Sequence, residues 1–195
     1  MHDDMLERTT NGSGKVADTA AAAISELDAG AWFGNEFAGE PVPPFAAASA
    51  LCKEIGLWAN VEIKPCHGRE AETGRIVARM AKLLWAGAPQ PPLLSSFSIP
   101  ALQAAQRETP ELPRGLVVAE IPPDWKTIMD RLECVSLHAA WRELDRQRVK
   151  EIQSAGFGVL AYTVNDSEVA VDLLEWGVDA IVTDALDQIG PNFAE

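Results

Sequence analysis

Six short apolar runs, alternating with stretches of helical periodicity and nearly all ending in polar residues, predict an α/β chain. The expected architecture is a TIM barrel of (β/α)8 type, incomplete, with about six strands and a small insertion region. The runs cover 58–64, 93–97, 115–120, 134–138, 159–164 and 180–184. Each has the length of a buried parallel strand. An open doubly wound sheet gathers its site near one switch point, whereas a barrel collects residues from many strand ends around one mouth. Here Glu62, Lys64, Ser95, Ser96, Glu120, His138, Thr163, Asn165, Thr183 and Asp184 are spread over the ends of all six runs, which favours the barrel. No G-x-G-x-x-G or G-x-x-x-x-G-K-[ST] follows any run, so a nucleotide-binding open sheet lacks its usual signature. Six strands are two short of eight.

The first part of the chain, 1 to about 45, is irregular. Asn11-Gly12-Ser13-Gly14 is a turn signal, the alanine run 20–23 suits one short helix, and Pro41-Val42-Pro43-Pro44 breaks any further periodicity. From Ala46 onward the pattern is regular. Ile76, Val77, Met80, Leu83 and Leu84 make one helical face that stops near Gly87. Ser98 can cap a helix through Ala101, Leu102 and Ala105 that ends near Pro110. Leu144, Arg148 and Ile152 mark another, stopped at Gly156. Asp166 can cap the last, which carries Val169, Leu173 and Leu174 and stops at Gly177.

A length of 195 residues suits one domain, 1–195, and 47% apolar residues suffice for its core. The formal charge is −13 with no Lys/Arg cluster, which excludes a nucleic-acid footprint. No run approaches a membrane span, and the acidic, polar start does not read as a signal peptide. Cys52, Cys66 and Cys134 show no CxxC spacing, which points to thiols of a reducing compartment and to a cytoplasmic location.

Glu62 and Lys64 stand two apart on a strand, so they share one face. Two readings fit: a metal-ligating carboxylate beside a phosphate-binding ammonium, or a structural ion pair at the barrel end. His138 ends its run and either lines the pocket or is a histidine satisfied by hydrogen bonds near the barrel top. His67 lies in the loop after Lys64, and His2 lies at the chain start; both read more simply as solvated histidines. Trp32, Phe33, Trp58, Phe97 and Tyr162 are rings near loops or strand ends, placed either to floor a pocket or to fill the core.

At these residues the chain resembles the glycerophosphodiester phosphodiesterase family, and within it the bacterial cytoplasmic members associated with glycerol-phosphate uptake. The likeness rests on His2-Asp3-Asp4-Met5-Leu6-Glu7-Arg8-Thr9-Thr10-Asn11-Gly12 and on Leu27-Asp28-Ala29-Gly30-Ala31-Trp32-Phe33. It continues through Asn60-Val61-Glu62-Ile63-Lys64-Pro65, Leu94-Ser95-Ser96-Phe97, Tyr162-Thr163-Val164-Asn165 and the segment from Gly177 to Asp184. It implies hydrolysis of small glycerophosphodiesters to sn-glycerol 3-phosphate and an alcohol. It also implies Mg2+ or Ca2+ held by carboxylates, Glu62 among them, and His2 as general acid toward the leaving alcohol. Lys64 would lie near the phosphate, with Glu120, His138 and Tyr162 as further substrate-binding groups. Residues 5–44 would be an insertion-like excursion. The family opens with a strand ending in histidine-arginine-glycine, then a strand bearing a glutamate and an aspartate. Neither motif occurs here, so the six runs are expected to be the third to eighth strands, with the open edge covered by further strands or by a second copy in a homo-oligomer. Two rivals stand beside this reading: an inactive barrel fragment that binds phosphorylated ligands or a partner chain, and a metal-free barrel enzyme using Lys64 as a Schiff-base amine.

Overall fold

The computed structural model describes residues 2–191 and 193; Met1, Asn192, Ala194 and Glu195, which the single-domain expectation includes, lie outside them. Six strands form one parallel sheet in the order β1 to β6: Asn60–Glu62, Leu93–Ser96, Arg114–Val118, Ser136–Ala140, Gly158–Tyr162 and Ala180–Ile181. Among the described residues β1 and β6 are unpaired on their outer sides, so the sheet is an open partial barrel, as the sequence predicts. Among the described residues before Ala46, strand-type pairing is limited to two isolated bridges, Met5 with Lys15 and Asp28 with Pro41. Among the described residues seven α-helices accompany the strands. The alanine run forms α1 (Ala21–Ser25), and α2 (Phe45–Glu54) leads into β1. Crossovers follow as α3 (Glu70–Leu84), α4 (Ile99–Glu108), α5 (Trp125–Leu132), α6 (Arg146–Ser154) and α7 (Ser167–Trp176). Among the described residues no helix is long and apolar enough to cross a membrane.

Local chemistry explains the helix limits. The Ser98 hydroxyl accepts from the Ala101 amide, and the Asp166 carboxylate accepts from the Glu168 and Val169 amides, satisfying donors that helix starts leave unpaired. The last helix stops at Gly177, whose φ of 100° lies in the left-handed region where glycine carries no Cβ penalty. Strand period two then sorts the sheet into two faces. Val61, Ile63 and Leu94 pack outward against Ala78 and Ala81 of α3 and Ala101 and Ala105 of α4. Leu116, Leu137, Ala139, Val159 and Ala161 pack outward against Met129, Leu132, Val149, Ile152 and Leu173. The intervening residues line the barrel interior.

Arg114, at the start of β3, is buried among carbonyls. Its guanidinium donates to the oxygens of Leu112 at 2.6 Å, Leu132 at 3.0 Å and Pro110 at 3.3 Å, and meets Glu133 Oε2 at 3.3 Å. A planar fork of five donors suits such a cage. It ties the end of α5 and the loop before β3 to the sheet, at the end opposite the mouth.

Most strand ends differ from the sequence reading by one to three residues, and two of these differences move candidate site residues. The fourth strand begins at Ser136, not Cys134, because Glu133 takes a left-handed conformation and the Cys134 amide still bonds back to the Met129 carbonyl of α5. His138 is therefore the middle residue of β4 and does not end it. β3 closes at Val118, which leaves Glu120 in the exposed loop beyond.

Candidate active site

The inward face supplies the site. Asn60 and Glu62 of β1, Ser95 of β2, Val117 of β3, His138 of β4, Leu160 and Tyr162 of β5 and Val182 beyond β6 line one cavity of about 430 Å³. Lys64, Phe97, Thr163 and Asp184 join them from the strand ends, and His2 joins from the chain start. Strand register brings Glu62 beside Ser95 and sets His138 between Val117 and Leu160.

Lys64 lies two residues past the end of β1, yet it keeps that strand's inward direction. The Ile63 amide donates to the Ser95 carbonyl at 2.7 Å, and the Ser96 hydroxyl donates to the Ile63 carbonyl at 2.6 Å, so the backbone stays pinned to β2. Lys64 Nζ then lies 2.8 Å from Glu62 Oε1 and 5.8 Å from the centre of the Phe97 ring. Both charged groups are part-exposed, which keeps the ammonium available to an incoming anion. Phe97 meets Tyr162 edge to face at 5.9 Å, and the Tyr162 hydroxyl donates to the Val118 carbonyl at 2.7 Å. Burial, and secondly the Glu62 charge, raise the Tyr162 phenol above its ordinary value, so it remains a donor.

His2 is held by a short relay. Arg8 donates to both oxygens of Asp3, at 2.5 and 2.7 Å, and Asp3 Oδ1 lies 2.7 Å from His2 Nδ1. The Arg8 guanidinium, with His2 second, holds the Asp3 carboxyl well below the usual carboxylate range. An ionised carboxylate only accepts, so Nδ1 carries the proton and Nε2 is the nitrogen free to exchange one. Asp3 and Arg8 are thus site residues that sequence reasoning left without a role. The tight turn that brings them together is closed by Leu6 N to Gly14 O and Val16 N to Asp4 O, and the Gly12-Ser13-Gly14 turn was its only sequence signal. Asp184 is likewise placed by side-chain chemistry: Asn165 Oδ1 accepts from the Asp184 amide at 2.8 Å, and its amide nitrogen donates to Asp184 Oδ2 at 3.3 Å.

His138 is deeply buried and shares a 2.9 Å hydrogen bond with the Ser136 hydroxyl. Gly115 makes the room for it, since a Cβ there would lie 2.4 Å from Nε2. Burial pushes this imidazole down to about 4, so it is neutral at pH 7. An ordinary histidine near 6.5 in the unfolded chain binds a proton first. Stability is therefore full above about 6.5 and falls as the pH drops toward 4. We expect roughly 2 kcal/mol to be lost between pH 7 and pH 5. Urea titrations of the native chain and His138→Gln at both pH values check this; equal losses in the two proteins would remove His138 as the cause. Ser95 Oγ is buried with no hydrogen-bond partner among the described residues, a hydroxyl on the cavity wall available to a ligand oxygen.

Glu120 is exposed and does not line this cavity; His67 is exposed beside Glu70, 3.8 Å away. Among the described residues no group of three or more His, Cys, Asp or Glu could hold a metal ion. Glu62 and Asp184 are the carboxylates on the cavity wall and Glu62 is already paired with an ammonium, so the described residues supply only part of a divalent cation's six or more oxygens and leave the rest to water, phosphate or further carboxylates.

An Oleispira antarctica phosphodiesterase, solved in complex with the product sn-glycerol-3-phosphate, is 37% identical, with a TM-score of 0.88 over 95% of this chain and 74% of that one. A glycerophosphodiester phosphodiesterase from Agrobacterium tumefaciens has a TM-score of 0.77 at 26% identity, over 96% of this chain and 78% of that one. A glycerophosphodiester phosphodiesterase of Caldanaerobacter subterraneus subsp. tengcongensis is 29% identical over 185 residues, 94% of this chain and 75% of that protein. The model of the glycerophosphoryl diester phosphodiesterase family matches residues 1–188, and the chain belongs to that family.

Proposed function

We propose that the chain serves in hydrolysing glycerophosphodiesters to sn-glycerol 3-phosphate and an alcohol. The observation that carries this reading is the convergence of His2, with its Asp3–Arg8 relay, and the Glu62–Lys64 pair on one cavity. The product held by the Oleispira relative supports it. Lys64 neutralises phosphoryl oxygen and orients the diester. His2 Nε2 delivers a proton to the departing alkoxide, and the fixed negative charge of Asp3 stabilises the imidazolium before transfer. Phe97 and Tyr162 form the wall behind Lys64. His138 stays neutral and shapes the floor with Ser136, and we assign Glu120 only a peripheral contact with substrate, outside the cavity.

In this reading Glu62 is the contribution of this chain to a Mg2+ or Ca2+ site that takes further carboxylates from strands pairing beyond β1 and β6. When bound, such a cation supplies Lewis-acid stabilisation of the phosphoryl group. The partner strands come from an extended single domain, in which 5–44 is an excursion, or from a second copy across the open edge. Catalysis belongs to the cytoplasm, as in the family members associated with glycerol-phosphate uptake.

The test uses a form that carries two further strands ahead of Met1, a coupled assay for glycerol 3-phosphate, and titration with Mg2+ and Ca2+. Glu62→Gln is expected to raise the cation concentration for half-maximal rate about tenfold or more, because an anionic ligand is lost. Lys64→Ala is expected chiefly to raise KM by a similar factor. Unchanged kinetics in both variants would remove the pair from the mechanism.

A further inference from the structure

Ser95 of β2 is fully buried, and its hydroxyl has no hydrogen-bond partner among the described residues. A buried hydroxyl left unpaired is costly, and native chains keep few of them. The neighbours of Ser95 limit which acceptor can take its proton. On one side the register sets it beside Gly115 of β3, which has no side chain. The space over Gly115 is filled by the His138 ring, whose Nε2 is already bonded to the Ser136 hydroxyl at 2.9 Å. Ser96, next along the strand, uses its own hydroxyl for the Ile63 carbonyl and the Ser98 amide. On the other side the register sets Ser95 beside Glu62 of β1, and both line the central cavity. The Glu62 carboxylate is the acceptor beside Ser95, and it is paired with Lys64 at 2.8 Å.

We infer that Ser95 is a positioning residue for a partner exchange at the mouth: when a phosphate takes the Lys64 ammonium, the Ser95 hydroxyl takes the Glu62 carboxylate. The inference rests on the diesterase reading, in which Lys64 meets phosphoryl oxygen. An anion that draws the ammonium away leaves Glu62 without its cation and beside a second negative charge, which works against binding. A hydroxyl already placed next to the carboxylate offsets part of that penalty, because a hydrogen bond to an ionised acceptor is roughly twice as strong as one between neutral groups. The proton stays on Ser95 throughout, and a rotation about its Cα–Cβ bond aims it. The missing side chain at Gly115 leaves that rotation unobstructed from the β3 side. The unpaired hydroxyl therefore lowers stability in the unliganded chain and aids the liganded one.

Calorimetric titration of the 195-residue chain with inorganic phosphate, together with thermal unfolding, tests this in Ser95→Ala, Glu62→Ala and the double variant. Ser95→Ala is expected to raise Tm by about 2–4 °C without phosphate, because an unpaired buried hydroxyl is removed. The same variant is expected to bind phosphate about five- to tenfold more weakly. Glu62→Ala should strengthen phosphate binding, since Lys64 is then released, and the double variant should bind as Glu62→Ala does, because the hydroxyl acts through that carboxylate. An equal loss from Ser95→Ala in the Glu62→Ala background would mean that the hydroxyl touches phosphate directly, and would overturn the inference. A lowered Tm in Ser95→Ala, which marks a structural role, would overturn it as well. So would unchanged phosphate binding in that variant, or a native chain that binds no phosphate. Hydrolysis is measured separately on the extended form with Ser95 intact, so a failure of the diesterase reading shows there and not in the phosphate titration.

Discussion

A form extended at the N-terminus by two strands, one ending in histidine-arginine-glycine and one carrying a glutamate and an aspartate, is expected to hydrolyse glycerophosphocholine about a thousandfold faster than the 195-residue chain. Three effects combine. In the proposed reading Glu62 is the metal ligand that this chain supplies, and it is paired with Lys64 at 2.8 Å. Added carboxylates would compete for the cation and release the ammonium for phosphate. The added histidine restores a second acid–base group, worth about 10² to 10⁴ in rate. Closing the outer edges of β1 and β6 also fixes the mouth, and preorganised charge depends on that. The check is a coupled glycerol 3-phosphate assay on both lengths at matched concentration with added Mg2+ or Ca2+. Comparable turnover would show that the short chain builds a complete site, either alone or by pairing with a second copy, which gel filtration distinguishes.

The second large effect belongs to His2. In the extended form, His2→Asn should lower kcat by about 10² to 10⁴ while leaving KM nearly unchanged, because the proton it supplies is needed only in the transition state. Asp3→Asn should cost less, about tenfold to a hundredfold, since it disturbs the tautomer and the charge but leaves the imidazole in place. A substrate with a good leaving group, such as a p-nitrophenyl diester, needs little protonation and should rescue most of the His2→Asn loss. Failure of that rescue, with a full loss on both substrates, would assign His2 to binding or folding and not to acid catalysis.

The six strands were readable because buried parallel strands present continuous apolar runs, and helix ends were readable where a single residue performs the stop or the cap, as Ser98, Asp166 and Gly177 do. α5 carries Trp125, Met129 and Leu132 on one buried face, but it is only eight residues long and follows Pro122-Pro123, so its period was lost between two strands. Misplacing its end moved the fourth strand by two residues and put His138 at the mouth, where the structure places it in the floor. Glu62 and Lys64 were legible as a pair because strand period is local. The Asp3–Arg8 relay, the Asn165 clamp on Asp184 and the carbonyl cage of Arg114 were not, because each depends on a turn or crossover that brings together groups with no shared periodicity. Glu120 shows the converse: a polar residue at the end of an apolar run reads as a mouth residue, but β3 ends two residues earlier and the loop carries it to the surface.

The most direct measurement is phosphorus NMR of glycerophosphocholine incubated with the extended form and Mg2+ or Ca2+. The expected result is loss of the diester resonance and growth of a single monoester resonance that comigrates with sn-glycerol 3-phosphate, abolished by His2→Asn. Accumulation of phosphocholine, which requires the other ester bond to break, or a diester signal that persists unchanged, would contradict the assignment of His2 and Lys64 to glycerophosphodiester hydrolysis.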